Sequence, residues 1–143
     1  MPRPAPALKP GHHIELLEGS LAFFPALVSA IDAAHTEVLL ETYIFDVTGD
    51  GAEVAYALER AARRGVLVRV LVDGVGCPSL PDGWAARLSQ AGVHWLVYSP
   101  VGALGLLWPG QWRRLHRKLC VVDAEVGFCG GINVLDDFHD PNH

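Results

Sequence analysis

The stretch RRLHRKLCVVDAEVGFCGGIN, residues 113–133, concentrates phosphate-handling groups in one short segment and sets the reading of the whole chain. It holds Arg113, Arg114, His116, Arg117 and Lys118, then Asp123, then Gly130, Gly131 and Asn133. The pattern predicts two strands, RRLHRKLCVVD and EVGFCGG, joined by a tight turn at Asp123, Ala124 and Glu125. On a strand over 114–122, His116 and Lys118 project from one face, so an imidazole and an ammonium meet over one point. That pair suits a phosphate ester. Lysine supplies a compact positive charge for phosphate oxygens; a neutral imidazole attacks phosphorus or, once protonated, gives a proton to the leaving alcohol. Gly130 and Gly131 let backbone approach closely, and Asn133 presents its amide to the same phosphate, so Lys118, Gly131 and Asn133 form the expected phosphate-binding set. Asp123 lies an odd number of residues from His116 and faces away from it. It is expected to fix the turn or bind neighbouring backbone.

H-x-K alone fits a basic edge strand followed by a glycine turn. The full spacing H-x-K-x4-D-x6-G-G-x-N fixes six positions and would arise by chance on the order of once in a million chains of this length, which favours the phosphate reading.

The rest of the 143 residues bounds what surrounds that segment. Half are hydrophobic and 19% are charged, which marks a globular chain. The net charge of −5 gives no general attraction to nucleic acid, so positive charge is local to residues 113–118. Three cysteines, Cys77, Cys120 and Cys129, have no C-x-x-C spacing. Neither a disulfide framework nor a zinc site is suggested, and Cys120 and Cys129 read as small core residues. No metal site is expected; Asp136, Asp137, His139 and Asp140 read as a solvated end. No apolar run reaches the ~18 residues of a membrane span, and prolines stand where a signal peptide needs its apolar region. The chain reads as cytosolic or attached to a membrane surface.

Residues 1–11 predict a flexible, proline-rich lead-in, and 12–143 a single domain. HHIELLE (12–18) predicts a first strand. A helix capped by Ser20 then runs to about Ala34 on the face Leu21, Phe24, Leu27, Val28 and Ile31, with Pro25 marking a late start or a kink. TEVLLETYIFD (36–46) predicts a strand covered on both faces. Glu41 interrupts it, either as a group supporting a site or as a carboxylate paired across strands. A helix over 52–64 buries Val54, Ala55, Leu58 and Ala61 and stops at Gly65, with Arg63 and Arg64 matching the dipole at its end. A strand over 66–74, a helix over 81–92 and a strand over 93–99 complete a strand-helix alternation. The implied fold class is α/β, a mixed, largely parallel sheet flanked by helices. Asp73 stands at the carboxyl end of its strand, where open α/β sheets place ligands, although an Asp before Gly also simply makes a turn. Residues 100–112 form a loop bearing Leu104, Leu106, Leu107, Trp108 and Trp112, read as packed on the body or as an apolar lip for acyl chains.

The spaced motif resembles the signature of the phospholipase D superfamily. With ETYIFD, the arginine-ended helix and VRVLVDG, the chain after residue 12 is similar to the N-terminal half of bacterial cardiolipin synthases. The resemblance implies a phosphatidyltransferase that exchanges phosphodiesters through a phosphohistidine, without metal or other cofactor. It casts His116 as a motif histidine, Lys118 and Asn133 as phosphate holders and Asp123 as the motif aspartate, so His116, Lys118 and Asp123 form the implied catalytic set. Glu41 stays a possible support behind them. The implied substrate is phosphatidylglycerol at a membrane surface, with the chain peripheral on the cytoplasmic side. Full-length members carry two motifs, whereas one is present here and the C-terminal half is absent. The implied partner is therefore a second motif-bearing half or another copy. Two alternatives stand beside this: a homodimeric phosphodiesterase acting on nucleic acid, disfavoured by the acidic balance, and a non-catalytic phospholipid-binding half-domain.

Overall fold

The computed structural model describes residues 10–100 and 113–136. The loop over 101–112, with its leucines and tryptophans, and the tail beyond Asp136 lie outside them. The elements run α1 (Gly19–Asp32), β1 (Glu37–Thr42), α2 (Gly49–Arg63), β2 (Leu67–Asp73), α3 (Asp82–Ala91), β3 (His94–Tyr98), β4 (Leu119–Val122) and β5 (Val126–Cys129). They form a five-stranded mixed sheet in the order β3-β2-β1-β4-β5. The pairs β1–β2 and β2–β3 are parallel, joined by crossover helices, while β1–β4 and β4–β5 are antiparallel.

The α/β expectation holds, with one difference in layering. Side chains alternate along each strand. Val38, Leu40, Val68, Val70, Val72, Cys120 and Val122 are buried in one core with Leu27, Ile31, Val54, Leu58 and Leu88 of the helices. The other face carries the alternate positions, and there Leu67, Leu96, Tyr98 and Val121 are exposed. Among the described residues the sheet is therefore covered by helices on one face, not on both as the near-continuous apolar pattern of residues 36–46 implied. Such a pattern specifies that both faces need cover. It does not say that this segment provides it.

α2 buries Val54, Ala55, Leu58 and Ala61 as its periodicity predicts, and Gly65 (φ 91°) ends it in the left-handed region. Arg64 does more than match a dipole, since its Nη2 donates to Ile31 O (3.1 Å) and Ala34 O (3.4 Å) at the end of α1. α1 differs from expectation in three ways. Glu18, not Ser20, occupies the cap position, Leu21 is 79% exposed, and Pro25 lies inside the helix. Pro25 is on the exposed side, so the carbonyl one turn earlier, which loses its N–H donor, can be hydrated. No strand forms over 12–18, where Ile14 and Leu16 are exposed. Alternating residues make a strand only where a neighbour supplies hydrogen bonds, and none of the described residues pairs with this segment. Cys120 is buried, and burial pushes its thiol up to about 12. Cys129 is exposed instead, because β5 is an edge strand.

The β4–β5 turn carries local strain. Asp123 (φ 54°) and Ala124 (φ 57°) are both left-handed, a conformation that costs a Cβ-bearing residue about 1–2 kcal/mol. Ala124→Gly removes that cost but adds unfolded-state entropy. The net expected gain is about 0.5–1 kcal/mol, read as a higher urea midpoint at unchanged m-value.

Candidate active site

β4 runs antiparallel to β1, so the chain enters β4 from the end where the parallel strands β1 and β2 finish. That is the end at which open α/β sheets leave a crevice. His116 and Lys118 sit at this entry, in a segment without ladder pairing, because β4 begins only at Leu119. The predicted strand over 114–122 is thus shorter than expected and does not itself contain the pair. The two side chains still meet, with Lys118 Nζ 3.1 Å from His116 Nε2. A charged Lys118 can only donate, an arrangement that requires Nε2 to accept and the ring proton to sit on Nδ1. Tyr43, one residue past β1, packs beside both. Its ring lies 5.2 Å from the His116 ring and 5.7 Å from Lys118 Nζ, within cation–π range.

Lys118 is buried, His116 exposed. Among the described residues Lys118 has no carboxylate partner, its contacts being His116 Nε2, His116 O at 3.5 Å and the Tyr43 face. Burial holds its ammonium below the ordinary lysine value. A buried cation without a counter-ion is an unfinished electrostatic arrangement, and an anion at this point would complete it.

The remaining predicted residues divide. Asn133 Oδ1 accepts from Ile44 N at 3.2 Å, and Val134 pairs with residues 44–46, so this side chain ties the segment after β5 to the segment after β1 and keeps its Nδ2 as a donor. Lys118, Gly130 and Gly131 line one cavity. A Cβ added at either glycine would meet nothing within 4 Å, so neither is required by close packing of protein backbone; the space beside them is open. Glu41 Oε2 lies 3.0 Å from Arg117 Nε but accepts no hydrogen bond, so the contact is a cross-strand ion pair off the N–H axis. Glu41 thus meets Arg117, not His116.

Asp123 is at the far end of β4, a strand length of roughly 15 Å from Lys118. It accepts from His35 N (2.8 Å), Thr36 N (2.8 Å), Thr36 Oγ1 (2.8 Å) and Glu37 N (2.9 Å). These amides, Glu37 foremost, hold its carboxyl well below the usual carboxylate range. The motif aspartate therefore binds neighbouring backbone, tying the β4–β5 turn to residues 35–37, and it does not meet His116. The sequence reading missed Tyr43; an aromatic just past the carboxyl end of a parallel strand was the available signal.

A mixed α/β half-sheet with an imidazole and a lysine joined at its carboxyl edge defines the phospholipase D-like class. Two solved structures share this fold: a phospholipase D family member, Nuc from Salmonella typhimurium (TM-score 0.55, 23% identity, covering 78% of this chain and 64% of that one), and NucT from Helicobacter pylori (TM-score 0.60, 19% identity, 78% and 67%). The model of the family described as cardiolipin synthase, PLD-like domain, matches residues 27–143, and the chain belongs to that family. It is similar to cardiolipin synthase B of Salmonella typhi (42% identity over 123 residues, 86% of this chain). Similarity extends to that of Escherichia coli K12 (40% over 123 residues, 86%) and to cardiolipin synthase 1 of Bacillus anthracis (33% over 124 residues, 87%). The chain spans 30%, 30% and 24% of the length of these relatives. Among the described residues no helix is long and apolar enough to cross a membrane, and no group of three ligating side chains is placed to hold a metal.

Proposed function

We propose that this chain is one half of a phosphatidyltransferase of cardiolipin synthase type, carrying one of the two motifs that the reaction needs. The observation that carries the reading is the buried Lys118, which has no carboxylate partner among the described residues and whose Nζ lies 3.1 Å from His116 Nε2. A phosphatidylglycerol phosphate entering the crevice takes over the Lys118 donors and frees the Nε2 lone pair. Nε2 attacks phosphorus, a P–N bond forms and the P–O bond to the departing glycerol breaks. The glycerol oxygen takes a proton from a second, protonated imidazole. In the return step the hydroxyl of another phosphatidylglycerol gives that imidazole its proton, attacks phosphorus and breaks the P–N bond, leaving His116 as it began. Asn133 Nδ2 and the Gly131 backbone help hold the phosphate oxygens.

The second imidazole comes from another motif-bearing half. The sheet face with Leu67, Leu96, Tyr98 and Val121, which no described helix covers, supports such a partner, because a face of that character is buried in assemblies. A phospholipid substrate implies that the chain works at a membrane surface, and we take this to be the cytoplasmic one. The test measures mass by light scattering and phosphatidylglycerol turnover on one sample, with plasmid DNA as a second substrate. The 143-residue chain is expected to be inactive or nearly so as a monomer and to leave DNA uncut. A monomer with robust lipid turnover would contradict the need for two histidines, and DNA cleavage would favour the phosphodiesterase alternative. Chelators are expected to leave any turnover unchanged, since both proton transfers run through imidazoles.

A further inference from the structure

His116 stands outside the ladder that fixes β4, so something other than strand pairing must place it. On its C-terminal side Gly130 N donates to Lys118 O at 3.3 Å. On its N-terminal side the neighbouring amide, Leu115 N, donates to Asp73 Oδ2 at 2.8 Å. Asp73 lies at the end of β2, 42 residues away, and is fully buried. Its other oxygen accepts from Val75 N at 2.8 Å and Gly76 N at 3.3 Å, and Arg114 Nη1 lies 3.3 Å away. Arg114 in turn donates from Nη2 to Ser99 Oγ at 2.8 Å. A turn-forming aspartate needs only the Val75 and Gly76 contacts. The oxygen given to Leu115 does nothing for that turn.

The same turn sets the other side of the imidazole. A Cβ on Gly76 would collide with Tyr43 O, so only glycine lets the turn pack against the backbone of Tyr43, whose ring faces His116. Residues 73–76 therefore hold the chain on both sides of the ring.

We propose that Asp73 is a positioning residue for the His116-dependent step, holding the ring against Lys118 and Tyr43 through the Leu115 amide. The proposal rests on the reading of His116 as the attacking group, and its test separates the two. In the full chain, uniformly labelled with 13C and 15N, the His116 ring signals are recorded by NMR for the wild type and for Asp73→Asn, in which one acceptor oxygen becomes a donor facing an N–H. The His116 signals are expected to lose their ring-current displacement from Tyr43 and broaden, while amide signals of α2 and β1 stay in place. In the assembled two-motif enzyme the same variant is expected to lower kcat about 10- to 100-fold with KM within about twofold, the pattern of a misplaced reacting group. If Asp73→Asn does not fold, Asp73→Glu, which keeps charge and both oxygens but displaces them by a methylene, is read the same way. Unmoved His116 signals in a folded variant overturn the proposal. Turnover that survives His116→Ala instead removes the reading of the site and leaves the NMR result standing.

Discussion

Replacing His116 with alanine is expected to stop phosphodiester exchange, with a loss of at least about a thousandfold in the assembled two-motif enzyme, because no neighbouring group can replace the P–N bond it forms. His116 is exposed and belongs to no ladder, so the urea midpoint should move only by the loss of its contacts with Lys118 and Tyr43, far less than the activity. Lys118→Ala should cost less, about a hundredfold, since a charge on the transition state is only partly irreplaceable. Lys118 is also a buried cation whose removal relieves a desolvation cost, so that variant is expected to be at least as stable as the wild type. Loss of activity with retained stability at both positions is the signature of residues kept for chemistry. Exchange that persists in His116→Ala would rule out the phosphohistidine for this half.

Asp123→Ala is expected to have the largest effect on stability in the motif, and none that requires substrate. The substitution orphans three backbone amides and a hydroxyl that meet at one carboxylate. The sign with pH follows from the depressed carboxyl. A group whose folded value lies below its unfolded value stabilises the fold fully above about pH 5 and loses that contribution as pH falls below about 4. Acid titration of the urea midpoint should therefore show a steep drop in the wild type and a shallower one in Asp123→Ala. Parallel curves would mean that Asp123 is not the anchor its geometry describes.

Much of this was legible before any coordinates, and the parts that were not share a cause. The spacing of His116, Lys118, Asp123 and Asn133 specifies the family, because each type has few other reasons to recur in that pattern. Asp123 is expected to bind backbone away from His116, and it does so because it sits in the turn at the far end of β4. The face of α2 follows from its period. Missed features depend on neighbours that a linear pattern does not name. HHIELLE alternates like a strand but finds no partner, and Cys129 looks apolar but falls on an edge. Asp73 resembles any Asp-Gly turn until Leu115, 42 residues on, is seen to donate to it. Tyr43 acquires meaning only once β4 arrives beside β1.

The strand order carries a consequence for how the chain acquires its site. β1, β2 and β3 pair with near neighbours in sequence through short crossovers, whereas β4 must insert beside β1, with Asp123 joining amides 86 to 88 residues upstream. Closing that loop is the slow, entropically expensive event in a topology of this kind. During synthesis the three-stranded parallel core can form while the β4–β5 hairpin is still emerging, and His116 gains its place only at the final docking. Amide exchange over 119–129, set beside that of β1 and β2, should report how tightly the docked hairpin is held and with it the integrity of the site.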